Sequence, residues 1–397
     1  MGAHDHAPVE VSTKVRRSVQ VAVGLLGVLT IAALVALWPG DTESSSQVGP
    51  LVAGEVVANN PCADPSPDCA RLTIRVVEGE DEGLEFNTDT LVAANSVPLS
   101  VGTEVWLTES APGEYGYSDI RRDGGLIWLG IVFAAAVIAF ARWKGVAALA
   151  GLGSSLVLLV WFVLPALLEG SNPVAVAAAG AAGIAFVSMG FAHGVSIRTG
   201  VALIGTVIAL LITLGLGTIF SGVTSLTGLG SEDAFFLELQ GFEIDLRGLF
   251  LAGLVIGALG VLDDVTVTQA AAVNEVKTAD PSAGWRTLFT SGMRVGRDHV
   301  AATVNTLVLA YVGAALPLFL LLSLAEAPLL QALNSEILAQ EVVRGLVGSM
   351  GIIAAVPITT ALMALVLTEG TPPREAAKPE PDPKTPEDAQ YGGFWEN

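Results

Sequence analysis

The sequence predicts a polytopic α-helical membrane protein with about eight transmembrane helices and a small β-rich, OB-like extracytoplasmic domain after the first helix. The 397 residues are 52% hydrophobic and only 15% charged, with a mean hydropathy of +0.63, which is typical of membrane proteins. Apolar runs recur at the length of about 20 residues that crosses a bilayer. Residues 41–120 lack such a run and hold 15 acidic and 2 basic side chains.

Eight apolar runs are candidate spans. They are Val19–Trp38, Gly124–Ala141, Gly145–Leu168, Pro173–Ala192, Thr199–Phe220, Gly248–Gln269, Val300–Leu324 and Val342–Leu367. The fourth is rich in Ala and Gly, which let helices approach closely, so we expect it inside a bundle. The first differs from a signal peptide because Leu37-Trp38-Pro39 offers no small-residue cleavage site, and we interpret it as an uncleaved anchor.

The basic residues predict the orientation in a bacterial plasma membrane. Lys14, Arg16 and Arg17 precede the first span, and most later loop cations fall on the same side. We therefore expect both termini to be cytoplasmic. Residues 19–38 would form the anchor and residues 124–368 a seven-helix bundle. The polar N-terminus, 1–18, and the proline-rich charged tail, 369–397, are predicted to be disordered.

Residues 41–121 are predicted to form the extracytoplasmic domain. Leu51–Val57, Arg71–Val77 and Glu104–Thr108 are short strand-like runs between Pro, Asn and Gly clusters. Cys62 and Cys69, the only cysteines, lie in one turn. Because an outer compartment is oxidising, we predict a disulfide; the alternative is two free thiols.

Two connecting segments have amphipathic character. Ser221–Arg247 carries Phe235 and Phe236 among acidic residues, which suits an interfacial helix or a lid. Asp280–Asp298 is predicted to be a cytoplasmic helix near the headgroups, anchored by Trp285 and Phe289.

The sixth span contains two adjacent carboxylates, Asp263 and Asp264. Ionisable residues inside membranes are costly and usually face protein or a water-filled cavity. Asp264 continues a stripe of small residues at helical spacing, Gly253, Gly257 and Gly260, so we expect it to face the bundle. Asp263 should then approach the seventh or eighth span. The pair is predicted to titrate as a unit.

Other spans add polar side chains at a similar depth. Pro357 precedes two threonines of the eighth span and marks a bend. The predicted transport or ion-binding residues are Asp263, Asp264, Thr268, Gln269, His299, Thr303, Asn305, Thr306, Thr359 and Thr360. The alternative is that these side chains only link helices by hydrogen bonds. A metal bound by the pair and Glu275 is conceivable, but no ligand set can be identified.

Three motifs resemble the YibE/F family of bacterial multi-pass membrane proteins, in the form found in actinobacteria. They are GALGVLDDVTVTQAAAVNEV, GRDHVAATVNTLVLAYVGAALPL and GSMGIIAAVPITTAL. The resemblance implies an N-terminal anchor, a small outer domain and a seven-helix bundle. It implies no particular chemistry.

The sequence favours a transporter or channel that uses the aspartate pair for proton or cation coupling. The alternative is a membrane scaffold or accessory subunit, with a protein partner at the outer domain. An enzyme fits less well: an intramembrane aspartyl protease needs aspartates on two helices, and neither a P-loop nor a Rossmann fingerprint is present. We expect no cofactor. Nucleic acid is excluded as a partner because there is no basic patch; the expected partners are lipid and an unidentified solute or ion.

Overall fold

The computed structural model describes residues 11–40, 51–61, 69–91, 99–230, 232–239, 244–324 and 328–369. It is mostly helical and contains one antiparallel sheet. The chain divides into two compact units. One comprises residues 40–146, and the other comprises residues 1–39 and 147–397.

Five antiparallel strands form the sheet of the first unit. In chain order they are β1 (Leu51–Pro61), β2 (Cys69–Val76), β3 (Glu85–Leu91), β4 (Glu104–Ala111) and β5 (Glu114–Ile120). They are arranged in the order β3-β2-β1-β4-β5. The sheet is curled, and the rings of Phe86 on one edge strand and Tyr115 on the other are 5.9 Å apart.

Alternation along the central strands supplies the core of this unit. In β2 every second side chain is buried, among them Leu72, Ile74 and Val76. Gly54 of β1 lies so close to Leu107 and Ile74 that a Cβ would meet their side chains at 2.8 and 2.9 Å. The three predicted strands are confirmed as β1, β2 and β4, and the structure adds β3 and β5.

One helix follows the sheet in the same unit, α2 (Asp123–Ala141), and it has no buried residue. The remaining helices are α1 (Thr13–Ala36), α3 (Trp143–Leu158), a π-helical turn (Leu159–Val163), α4 (Leu164–Leu168), α5 (Pro173–His193), α6 (Ile197–Val223), α7 (Glu232–Leu239), α8 (Leu246–Ala279), α9 (Trp285–Ala314), α10 (Leu316–Leu324), α11 (Leu329–Leu333) and α12 (Glu336–Glu369).

The helix α8 is the centre of the helical unit, because it packs against α5, α6, α9 and α12. Its buried face includes Val255, Leu259, Leu262 and Val273. The Ala- and Gly-rich α5 also has many buried residues, as the sequence predicts for a span inside a bundle. Close packing continues on α9, where a Cβ at Gly292 would meet Val273 and Thr360 at 2.7 and 2.8 Å.

Within the described ranges, seven helices are long and apolar enough to cross a membrane, or eight if one bent pair counts as a single span. The bent pair is α9 and α10, which meet at 58°. The sequence predicts a cytoplasmic helix over Asp280–Asp298 and a separate span over Val300–Leu324, whereas in the structure one helix joins most of the first segment to the start of the second. The helix runs without interruption from Trp285 to Ala314 and breaks only before Pro317, since that proline favours a helix start.

Two segments outside the predicted spans are also helical: the residues just before the first span, and α7. The helix α1 begins at Thr13, where the Ser12 hydroxyl accepts a hydrogen bond from the Val15 amide, so it starts before the predicted span. The segment α7 exposes Phe235 and Phe236 by 54 and 57%. Its predicted role as an interfacial helix or lid stays a prediction.

Candidate functional site

Three polar side chains of α8 lie on successive turns and face different neighbouring helices. They are Asp263, Thr266 and Gln269. Steps of three residues advance about 4.5 Å along a helix, so the three span roughly 9 Å. With their partners they form what we call the polar cluster, whose members are Ser188, Thr206, Asp263, Thr266, Gln269 and Thr360.

The carboxylate of Asp263 is held against α5. Oδ2 accepts a hydrogen bond from the Ser188 hydroxyl at 2.9 Å. Oδ1 is buried and has no hydrogen-bond partner among the described residues. A carboxylate that is half satisfied in this way keeps lone pairs for a proton or a cation. We therefore regard Asp263 as the chemically distinctive member of the cluster.

The next two turns of α8 bond to α6, α9 and α12. The hydroxyls of Thr206 and Thr266 are 2.6 Å apart, and both side chains are fully buried. The amide Nε2 of Gln269 donates to the Thr360 hydroxyl at 2.6 Å and to the Gly292 carbonyl at 2.9 Å. Polar contacts of this kind link helices where the surroundings are apolar.

Three further buried polar atoms have no partner in the part of the chain that the structure describes. They are the Thr359 hydroxyl, Nε2 of His299 and Nε of Arg344. Thr359 lies directly against Gly205 of α6, where a Cβ would collide with its hydroxyl. The absence of a side chain at Gly205 thus lets α6 and α12 approach each other closely at Thr359.

The orientation predicted for the aspartate pair was wrong. Asp264 is exposed, together with Thr268, and so are Gly253, Gly257 and Gly260. Among the described residues, a Cβ at Gly253 or Gly260 would meet nothing within 4 Å, whereas one at Gly257 would lie 3.1 Å from the Tyr311 hydroxyl of α9. The opposite face of α8, with its larger aliphatic side chains, is the one that packs.

Asp263 also meets a different neighbour from the one predicted. It bonds to the fourth span rather than to the seventh or eighth. Asn305 and Thr306 on α9 are exposed, and the hydroxyl of Thr306 bonds to its own helix at Ala302. Thr303 is half-buried and likewise bonds to the carbonyl of His299.

The predicted polar layer thus separates into two groups. Gln269, Thr359 and Thr360 are buried and Asp263 is half-buried, while Asp264, Thr268, Asn305 and Thr306 are exposed.

Three members of the cluster were not predicted from the sequence: Ser188, Thr206 and Thr266. Isolated hydroxyls in apolar helices are common, so they gave little signal individually. Ser188 had the best signal, since it is the only hydroxyl-bearing residue in α5.

The described residues contain no group of three or more His, Cys, Asp or Glu side chains placed to hold a metal ion. The polar groups at Asp263 are instead its own carboxylate and the hydroxyl of Ser188. Carboxylate and hydroxyl oxygens suit a proton or a hard cation. The predicted disulfide remains open, because Cys69 begins β2 but Cys62 lies outside the described residues.

The long apolar helices, packed around one helix with a half-buried carboxylate, are consistent with a multi-pass membrane protein. The family model described as YibE/F-like protein matches residues 129–369. The chain belongs to this family, as its motifs predicted. The matched range includes the whole polar cluster, whereas α1 and the sheet lie before it. No curated protein and no solved structure matches the chain.

Proposed function

We propose that this protein crosses the bacterial plasma membrane several times, with both termini cytoplasmic and the sheet unit outside. The number of apolar helices and the position of Lys14, Arg16 and Arg17 before α1 support this orientation. The strand order β3-β2-β1-β4-β5, with the two edge strands close together, supports an OB-like barrel for the outer domain.

Within this membrane protein, we propose transport of a proton or cation, alone or coupled to a solute, through Asp263. The observation that carries the proposal is the half-satisfied carboxylate of Asp263, with Oδ2 bonded to Ser188 and Oδ1 buried without a described partner. An ionisable side chain in a spanning helix costs several kcal/mol, so its presence favours a functional role.

The rest of the polar cluster supports the same function. Thr266 and Gln269 add one polar side chain to each of the two turns of α8 that follow Asp263. Their hydroxyl and amide groups can donate and accept hydrogen bonds, whereas the surrounding leucines and valines cannot. The proposal differs from the sequence-based hypothesis in one respect: it assigns the chemistry to Asp263 alone, because Asp264 is exposed.

The test is proton flux into proteoliposomes that contain the full chain, driven by a membrane potential and followed with a pH-sensitive dye in the lumen. Asp263→Asn keeps the size of the side chain and removes the exchangeable carboxyl. Asp264→Asn is the matched control on the neighbouring residue. We expect flux to be lost in the first variant and retained in the second. Flux that survives Asp263→Asn would contradict the proposal.

A second candidate function is that of a scaffold or accessory subunit. It is favoured by the exposed stripe of α8, where Asp264 lies next to Gly260 and Thr268. A carboxylate on a lipid-facing surface is costly, so a second protein that covers it would be stabilised there. Purification in mild detergent separates the two functions. A stoichiometric partner that is lost on Asp264→Asn would support the scaffold, whereas flux by the purified chain alone would support transport.

A further inference from the structure

An apolar crevice of about 380 Å³ lies between α1, α5 and α6, at the ends of these helices that carry Arg16, Gly194 and Ser196. This volume falls in the range of about 300–1,000 Å³ that is usual for small-molecule sites. The crevice is open at one side and has no part in the polar cluster. We propose that it binds one anionic phospholipid, with the acyl chain in the crevice and the phosphate at Arg16.

The crevice has one polar end and one apolar end. Arg16, Gln20, Ser196 and Thr199 line it near the helix ends. Further along, the lining is apolar and includes Val23, Phe186, Met189 and Leu203. Along α1, Arg16 and Val23 are separated by about 10 Å at 1.5 Å per residue. A phospholipid has the same order of groups, a charged phosphate followed by a hydrocarbon chain.

The charge at the polar end identifies the headgroup. Although the chain has a formal net charge of −20, the start of α1 carries Lys14, Arg16 and Arg17 within four residues. In the part of the chain that the structure describes, no acidic side chain forms an ion pair with Arg16. Basic pockets between spanning helices on the cytoplasmic side bind anionic lipid headgroups. A zwitterionic lipid would gain less from the same arginine.

Two glycines keep the crevice open. Gly24 of α1 and Gly190 of α5 both line it, and a Cβ at either position would have no atom within 4 Å. The space beside them is therefore not needed for the packing of α1 against α5. A side chain at Gly190 would begin in the volume that we assign to the acyl chain, since its Cβ would meet no protein atom within 4 Å.

This inference rests on the proposed membrane placement but not on transport. The experiment is native mass spectrometry of the full chain in detergent, titrated with phosphatidylglycerol or with phosphatidylcholine of the same acyl chains. We expect tighter binding of phosphatidylglycerol. One arginine near the membrane surface contributes about 1 kcal/mol, so Arg16→Gln should weaken phosphatidylglycerol binding about fivefold and phosphatidylcholine binding by a smaller factor.

Arg17→Gln is the matched control. Arg17 does not line the crevice, and its substitution removes the same charge one residue away. Gly190→Leu should weaken the binding of both lipids, and Gly153→Leu on α3, where a Cβ also meets nothing, should weaken neither. Three results would overturn the proposal. The two lipids could bind equally, Arg16→Gln and Arg17→Gln could have equal effects, or a second copy of the chain could be retained in place of lipid. Each of these results is independent of proton flux.

Discussion

Replacement of Gln269 by Leu should destabilise the helical unit by about 1 kcal/mol. The side chain is only 2% exposed, and its amide donates to the Thr360 hydroxyl and to the Gly292 carbonyl. Hydrogen bonds between spanning helices contribute about 0.6 kcal/mol each on average, so two of them give roughly 1.2 kcal/mol. Leucine fills nearly the same volume, and the loss therefore comes from hydrogen bonding rather than from a cavity.

A double-mutant cycle separates the hydrogen bond between Gln269 and Thr360 of α12 from the hydrogen bond between Gln269 and the Gly292 carbonyl. Thr360→Val removes the hydroxyl that accepts from Gln269, and the free energy of unfolding of all four proteins is measured in mixed detergent. We expect a coupling of about 0.6 kcal/mol. Thr368→Val is the control, because the Thr368 hydroxyl bonds to the backbone of its own helix. Additivity of Gln269→Leu and Thr360→Val within about 0.3 kcal/mol would refute the reasoning.

Three further predictions concern the outer domain and the orientation. Mass spectrometry of unreduced peptides should show Cys62 linked to Cys69, and two alkylatable thiols in protein prepared without reductant would contradict this. A cysteine placed at the exposed Ser282 should react with an impermeant reagent only after the cells are opened; labelling in intact cells would reverse the proposed orientation. The hydrogen bond that Tyr115 donates to Asp81 raises the pKa of Tyr115 to about 12. The stabilising effect of this hydrogen bond should therefore be complete below the ordinary phenol pKa of about 10 and disappear as the pH rises towards 12. The absorbance of tyrosinate, compared between wild type and Tyr115→Phe, would report the titration of Tyr115.

The number and positions of the apolar helices could be predicted from the sequence, because length and hydropathy alone determine a candidate span. The same holds for the interior position of Gln269, Thr359 and Thr360, which a bundle buries because they lie among leucines and valines. The family could be predicted from three motifs, and the match over residues 129–369 confirms it.

The side of α8 that packs could not be predicted. Both faces of this helix are apolar enough to be buried, and glycines allow close packing without requiring it. Gly253, Gly260 and Asp264 are exposed, whereas Leu259 and Leu262 pack. The contact between Asp263 and Ser188 joins residues 75 positions apart in the chain, and periodicity within one helix carries no information about such a partner.

Two local features were missed for other reasons. The edge strands Glu85–Leu91 and Glu114–Ile120 contain acidic and small residues, which depress strand propensity, and they form because they pair with β2 and β4. The continuous helix Trp285–Ala314 passes through Arg297 and Asp298, where a change in polarity marked a boundary but not a break in the backbone.

The central claim is that Asp263 exchanges a proton inside the helical unit while hydrogen-bonded to Ser188. The most direct measurement is the pH-induced infrared difference spectrum of the full chain in lipid nanodiscs, in the region of the protonated carboxyl. We predict one band that Asp263→Asn removes, that Ser188→Ala shifts because Oδ2 loses its donor, and that Asp264→Asn leaves in place. A spectrum of Asp263→Asn that superimposes on that of the wild type would contradict the claim.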